Sequence, residues 1–311
     1  MKLSKVINKG IVTKVFGLYY CVKHSGGVTN CFLQGKLKRN PDSKGFTNPV
    51  AVGDFVEFEF SQDGQGTISS IVDRRNFFSR KEKGRNTKED IIASNLDQVV
   101  VIQAVAEPQL NLRFVDRIAV RARKDNIDVL LCINKTDLAS REHISYIKDY
   151  YKNSHLDYIL VSALENKKIN ELEKRIRGRR SLLIGYSGVG KTSLINSIFP
   201  DLDLKTSQVS ESSGKGRHTT TNVIMHHIDD TELIDTPGVR EFGITGIEPH
   251  MLDKYFYEFS DYLPECSFKT CTHDHEPGCH VKKMVDEGVI YEGRYISYLN
   301  ILESIRDQKH Y

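Results

Sequence analysis

The 311-residue sequence predicts a multidomain chain in three parts: an N-terminal all-β barrel, a central α/β domain on a parallel sheet, and a mostly α-helical C-terminal module. Three observations carry that expectation. Residues 1–72 alternate apolar and polar positions in short runs separated by turn residues, and residues 91–245 alternate β-rich apolar runs with helix-length amphipathic stretches. Residues 246–311 are helical in pattern at both ends, with a cysteine cluster between. The length supports two or three domains and a sizeable core. Membrane and fibrous classes are excluded, because 39% hydrophobic and 27% charged residues are ordinary for a globular chain. No apolar run approaches the ~18 residues of a membrane helix. Lys and Arg number 44 against 41 Asp and Glu, a net +3, so any affinity for nucleic acid has to come from local clusters. The start, MKLSKVINKGIVTKVF, lacks the apolar core of a secretory signal, and a cytoplasmic location is expected.

In the first module the runs GIVTKVFGLYYCVKH, TNCFLQGKL, VAVGDFVEFEF and GTISSIV read as strands. Gly26-Gly27, Asn40-Pro41, Gly53-Asp54 and Asp63-Gly64 supply the turns, and about five such strands suit a small OB-like barrel. Residues 73–90 read as a basic linker: RRNFFSRKEKGRNTK holds seven basic residues against the single acid Glu82 and has no periodicity. In residues 91–245 the runs QVVVIQAV, IDVLLCIN, YILVSA, SLLIG, NVIMHHI and ELIDTP alternate with helical stretches such as RFVDRIAVRARKD and REHISYIKDYY.

The run SLLIG leads straight into Gly185-Tyr186-Ser187-Gly188-Val189-Gly190-Lys191-Thr192, followed by Ser193 and an apolar-periodic helix. This is a P-loop. Its glycines let backbone amides point at phosphate oxygens, Lys191 reaches the outer phosphates, and Thr192 can ligate magnesium. Asp235-Thr236-Pro237-Gly238 ends the next-but-one apolar run, where Asp235 would hold magnesium through water and the Gly238 amide could meet a γ-phosphate. Asn134-Lys135-Thr136-Asp137 and Ser162-Ala163 end two earlier runs. A carboxylate at Asp137 accepts from both N1–H and the exocyclic amine of guanine, whereas adenine would leave it unpaired at a cost of about 1–3 kcal/mol per buried group. The predicted base is guanine. Both base-reading segments precede the P-loop, so the domain reads as circularly permuted. Between P-loop and DTPG lies SQVSESSGKGRHTTTN, in which Thr219, Thr220 or Thr221 could complete the magnesium shell. Val239, right after DTPG, cannot orient an attacking water, and His218 is the candidate for that role.

Cys266-x4-Cys271-x-His273-x5-Cys279 offers three thiolates and an imidazole, a set suited to structural tetrahedral zinc, with His275 and His280 as competing ligands. Besides the linker, basic residues gather at Lys36, Lys38, Arg39 and Lys44, at Lys174 to Arg180, and at Lys282-Lys283. With Phe77-Phe78 these could grip RNA through phosphates and stacking.

These features together resemble the ribosome small-subunit-dependent GTPase family over essentially the whole chain: VGD at residues 52–54, then NKTD, SA, GYSGVGKT, GRHTTT and DTPG in permuted order, then the C-x4-C-x-H-x5-C cluster. The resemblance implies a GTPase that binds GTP and GDP with Mg2+, carries one structural Zn2+, and docks on the small ribosomal subunit and its rRNA through barrel and zinc domain. It implies hydrolysis that quickens on docking and assists late subunit maturation. The family's phosphate-binding residues fall on Lys191 and Thr192, its base-reading residues on Asn134, Lys135 and Asp137, its zinc ligands on Cys266, Cys271, His273 and Cys279, and its proposed catalytic histidine on His218. A monomer with no membrane partner is expected. The rival readings are a GTPase with a protein target and a nucleotide-gated RNA-binding module in which hydrolysis is vestigial.

Overall fold

The computed structural model describes residues 6–17, 19–35, 37, 45–61, 63–81, 89–202, 204, 223–236, 243, 244 and 246–307. Five strands, β1 (Asn8–Phe16), β2 (Tyr19–His24), β3 (Gly27–Leu33), β4 (Phe55–Phe60) and β5 (Gly66–Ile71), make the N-terminal barrel. The run GIVTKVFGLYYCVKH is two of them, because the chain turns at Gly17, whose φ is 39°. Strands β1-β2-β3 form an antiparallel meander, β3 pairs parallel with β5, and β4 pairs antiparallel with both β5 and β1, which closes the barrel. Val12, Val22, Cys31, Val56, Phe58 and Ile68 fill it. Alternation puts these residues inside and most of their neighbours outside; Ile11, beside Val12, is instead buried against the α/β domain.

Two further strands, β6 (Phe77–Lys81) and β7 (Glu89–Ser94), pair as an antiparallel hairpin. Part of the stretch read as a linker is therefore a strand, anchored by the wholly buried Phe78. Period-2 alternation is broken there because the register shifts between Phe78 and Ser79, which leaves both buried; Arg80 pairs across the hairpin with Asp90 at 3.1 Å.

The α/β domain follows as β8 (Gln98–Ala104), α1 (Leu112–Lys124), β9 (Asp128–Asn134), α2 (Arg141–Tyr151), β10 (Asp157–Leu160), α3 (Ile169–Ile176), β11 (Arg180–Gly185), α4 (Lys191–Ile198), β12 (Ile224–Ile228) and β13 (Thr231–Asp235). In space the order is β10-β9-β8-β11-β13-β12. All neighbours are parallel except β12 and β13, which pair antiparallel because only Asp229 and Asp230 separate them. Within this domain the phosphate-loop strand β11 stands between β10-β9-β8, which precede it in sequence, and β13-β12, which follow it. Edge strand β12 also pairs with barrel strand β1 at Lys14 and Ile224, so barrel and sheet are continuous. The C-terminal module has 3-10 turns at Pro249–Tyr255, Tyr257–Phe259 and Leu263–Glu265, then α5 (His280–Asp286) and α6 (Glu292–Asp307). Leu252, Phe256, Phe259, Tyr298, Ile301 and Leu302 form its core.

Buried charges fasten the modules together. Asp54, fully buried, accepts from the Ala51 amide at 2.8 Å, from the Arg74 Nε and Nη2 at 2.7 Å each, and from the Ser94 hydroxyl at 2.6 Å. Beside it Gly53 has φ 94°, and a Cβ there would overlap the Ser94 carbonyl oxygen. Arg180 donates to the Gly53 carbonyl at 3.1 Å and to Glu232 at 2.5 Å, which ties the same corner to β13. At the other end of the sheet, Asp116 on α1 pairs with Arg294 on α6, and Arg294 donates to Glu258 at 2.6 Å. Burial opposes the charge on Arg294, and the two carboxylates more than offset it, so the guanidinium pKa stands above its ordinary value.

Removing one partner of a buried, hydrogen-bonded ion pair strands the other charge, at a typical cost of about 3–5 kcal/mol. Asp54→Ala should lower unfolding stability by that amount in denaturant titration; a loss under about 1 kcal/mol would show that the corner is not a structural joint.

Candidate nucleotide site and metal centre

Because β8, β9, β10, β11 and β13 run parallel, the loops after them share the carboxyl edge of the sheet, where open α/β sheets bind ligands. The sequence motifs meet there. Gly185 closes β11, Val189 is fully buried under the loop, and Ser187 and Gly188 are exposed at its tip. Gly190 precedes α4 with φ 87°, where any Cβ would overlap the Asn134 amide. Lys191, Thr192 and Ser193 form the first turn of α4, the helix end that favours anions. Lys191 Nζ lies 2.6 Å from Asp235 Oδ1 and donates to the Thr236 carbonyl at 2.5 Å, so the lysine of the P-loop and the acid of DTPG are adjacent. Thr236 is pinned by its hydroxyl, which donates to the Leu183 carbonyl at 2.8 Å.

The base-side loops are held as tightly. Asn134 is 2% exposed; its Nδ2 donates to the Val189 carbonyl at 2.9 Å and its Oδ1 accepts from the Ala163 amide at 3.1 Å. One side chain therefore links the P-loop to both base-side loops. Lys135 takes a left-handed backbone, φ 61°, and its ammonium donates to the Glu107 carbonyl across the loop after β8. The Ser162 hydroxyl donates to Asp137 Oδ1, which orients a half-buried carboxylate towards the same edge. Sequence reasoning missed the loop after β8: Pro108 lies against Gly188 and Glu107 carries the Lys135 contact, but neither has a motif to announce it. Gly238, His218, Thr219, Thr220, Thr221 and Val239 lie outside the described residues.

In the C-terminal module the ligand atoms of Cys266, Cys271, His273 and Cys279 lie within 4.8 Å of one another. His273 Nδ1 faces Cys279 Sγ at 3.3 Å and Cys266 Sγ at 3.7 Å. His275 and His280 are not part of the cluster: His275 pairs with Asp274 at 3.6 Å, and His280 with Glu265 at 3.1 Å. Burial pushes the Cys271 thiol up to about 12 and raises Cys279 as well, so without a cation both would stay protonated. A coordinated dication reverses that preference, and three thiolates with one imidazole fit zinc.

The basic runs are more structural than the sequence suggests. Arg180 is 8% exposed, and Arg175, Arg177 and Arg179 pair with Asp157, Glu173 and Asp128. Arg74 serves Asp54, and Arg75 reaches Asp97 at 2.7 Å. Lys36, Lys38, Arg39 and Lys44 lie outside the described residues.

A parallel sheet with a P-loop, base-side loops on its carboxyl edge and the phosphate strand placed after them in sequence defines a circularly permuted P-loop GTPase. The RsgA GTPase family model matches residues 71–245 and the RsgA N-terminal domain model residues 9–68. The chain belongs to the RsgA GTPase family. It is 38% identical to the small ribosomal subunit biogenesis GTPase RsgA of Phocaeicola vulgatus, across 97% of this chain and 98% of that one. To the Flavobacterium johnsoniae protein of the same name it is 37% identical, across 97% and 94%. The crystal structure of YjeQ from Thermotoga maritima superposes with a TM-score of 0.74 at 29% identity, covering 96% of this chain and 99% of that one. YloQ, described as a circularly permuted GTPase, gives 0.70 at 25% identity, covering 97% and 96%.

If Asp137 reads the base, Asp137→Asn should weaken guanine-nucleotide binding at least about tenfold and favour xanthine nucleotides, whose C2 oxygen accepts from the new amide. Direct titration that returns an unchanged guanine preference would remove Asp137 from that role.

Proposed function

We propose that this chain binds the small ribosomal subunit and its rRNA, assists late maturation of that subunit, and couples this to GTP hydrolysis that the subunit stimulates. The observation that carries the reading is the junction of Asn134, Val189 and Ala163, which holds the NKTD, SA and phosphate-loop segments together in a chain that also carries an OB-like barrel and a Cys3His cluster. The relatives' names point the same way.

In this account Asp137 accepts from N1–H and the exocyclic amine of guanine, with Asn134, Lys135, Ser162 and Ala163 shaping the base slot. Gly185, Ser187, Gly188, Val189 and Gly190 present backbone to the phosphates, and Lys191 neutralises their outer oxygens. Thr192, with Asp235 acting through water and one of Thr219, Thr220 and Thr221, would hold Mg2+, which would supply charge neutralisation at the phosphates. Ser193, on the first turn of α4, lies on the phosphate side, and the Gly238 amide would meet the γ-phosphate. His218 positions the attacking water, a role Val239 cannot fill. The site selects guanine by stranding a buried carboxylate against adenine and promotes hydrolysis chiefly by positioning.

Cys266, Cys271, His273 and Cys279 would hold one structural Zn2+, which fixes the loops of the C-terminal module. That module and the barrel offer the rRNA-facing surfaces. We place the protein in the cytoplasm as a monomer; among the described residues no helix is long and apolar enough to cross a membrane.

Turnover of GTP should rise on adding purified small subunits, and His218→Ala should lose roughly 10- to 1,000-fold of the stimulated rate while GTP and subunit binding persist. Stimulation that is absent with wild-type protein would contradict the ribosomal reading; full stimulation in the variant would move water positioning to another group.

Metal analysis of protein prepared without chelator should find one zinc per chain, and Cys271→Ser should loosen the C-terminal module while sparing GTP binding. Well under one equivalent of zinc would contradict the assignment.

A further inference from the structure

The imidazole of His273 has two ring nitrogens and only one of them faces the three sulfurs. Nδ1 stands 3.3 and 3.7 Å from Cys279 and Cys266, close to the sulfur-to-nitrogen edge of about 3.5 Å that zinc bond lengths of roughly 2.3 and 2.0 Å give in a tetrahedron. If Nδ1 takes the metal, Nε2 carries the proton. The residue is 1% exposed, so water cannot satisfy that N–H at low cost. Phe259 and Tyr298 close the flanks, with ring centroids 6.1 and 6.0 Å from the imidazole, and neither ring can accept as a carboxylate does. Asp253 Oδ2 lies 3.4 Å from Nε2.

That carboxylate is itself held. Its Oδ1 accepts from the Lys254 amide at 2.8 Å, and it projects from the 3-10 turn Pro249–Tyr255, where the Tyr255 carbonyl accepts from Arg123 of α1 at 2.7 Å. The histidine backbone is fixed from the other direction: φ is 55°, and the Tyr295 hydroxyl donates to the His273 carbonyl at 2.6 Å. Ring orientation is thus constrained at the backbone and at Nε2, leaving Nδ1 aimed at the sulfurs.

We propose that Asp253, thirteen residues before the cysteine cluster, is the positioning residue of the metal centre: it accepts from His273 Nε2–H and thereby fixes the tautomer in which Nδ1 is the ligand. The proposal rests on the reading of the Cys3His cluster as a zinc site. The nitrogen that binds a metal is set by the hydrogen bond the other one makes, and loss of such a partner typically costs 10- to 100-fold in metal affinity. Asp253 also carries the constraint inwards, since its turn is hydrogen-bonded to α1 of the nucleotide-binding domain.

The test is competition for zinc between the full-length protein and a chromophoric chelator, with wild type, Asp253→Asn and Asp253→Ala. GTP affinity serves as a control, and long-range 15N–1H NMR of His273 in the zinc-loaded wild type gives the tautomer. Asp253→Ala should bind zinc 10- to 100-fold more weakly, Asp253→Asn should lose less because its amide oxygen still accepts, and the wild-type spectrum should place the proton on Nε2. Zinc affinity within twofold of wild type in the Ala variant, or a proton on Nδ1, would overturn the proposal while leaving the zinc assignment in place. Wild-type protein that takes up no zinc would overturn the zinc assignment itself and the proposal with it. If the Ala variant fails to fold, the wild-type tautomer decides.

Discussion

The nucleotide site depends on one side chain that bridges two halves of a reordered chain. Asn134 closes β9, in the half that comes first in sequence; Val189 belongs to the phosphate loop, in the half that comes later. Parallel pairing of β8 with β11, with Ile102 opposite Gly185, brings the halves into register, and the Asn134 amide then fixes the spacing by donating to one loop and accepting from another. Gly190 is required beside it because a Cβ would occupy the space of that amide. Chain order is thus irrelevant to the chemistry: the sheet restores the neighbours that the permutation separates in sequence, as is feasible where termini can be moved on a domain surface.

What the permutation does change is what the flanking modules hold. The barrel enters ahead of the sheet and pairs through Lys14 with Ile224 on β12, the first half of a hairpin whose other strand ends at Asp235. The Asp54 and Arg180 network locks the same corner, and Arg180 bonds both the barrel's Gly53 carbonyl and Glu232 on β13. The C-terminal module follows the DTPG motif in sequence and docks on α1 through Asp116, Arg117 and Arg123. Both modules therefore sit on rigid elements of the nucleotide-binding domain, through buried polar contacts that fix orientation more than they add net stability.

Much of this was legible in the sequence. The P-loop, NKTD and the Cys3His cluster announce themselves because each needs particular residue types at fixed spacing, and α1 and α2 follow their apolar periodicity. The VGD triplet was visible as a turn, but its meaning as a joint was not, since the partners of Asp54 come from Arg74 and Ser94. The direction of β12 was hidden for a similar reason: its apolar run looks like those of the parallel strands, and only the two-residue connection to β13 sets it antiparallel. Basic runs overstated the accessible positive surface, because Arg74, Arg175 and Arg180 find carboxylates that are distant in sequence. Asp253 and Glu107 carry no local signature at all.

The buried amide of Asn134 holds the NKTD, SA and phosphate-loop segments in one place at the edge of the sheet. Titration of Asn134→Ala with GDP and GTP, alongside a thermal melt, shows whether nucleotide binding depends on it. Leaving the Val189 carbonyl and the Ala163 amide without their partner, at about 1–3 kcal/mol for a buried group, should lower guanine-nucleotide affinity by at least about tenfold with the fold retained. An Asn134→Ala protein that melts cooperatively and binds both nucleotides with wild-type affinity would contradict the account.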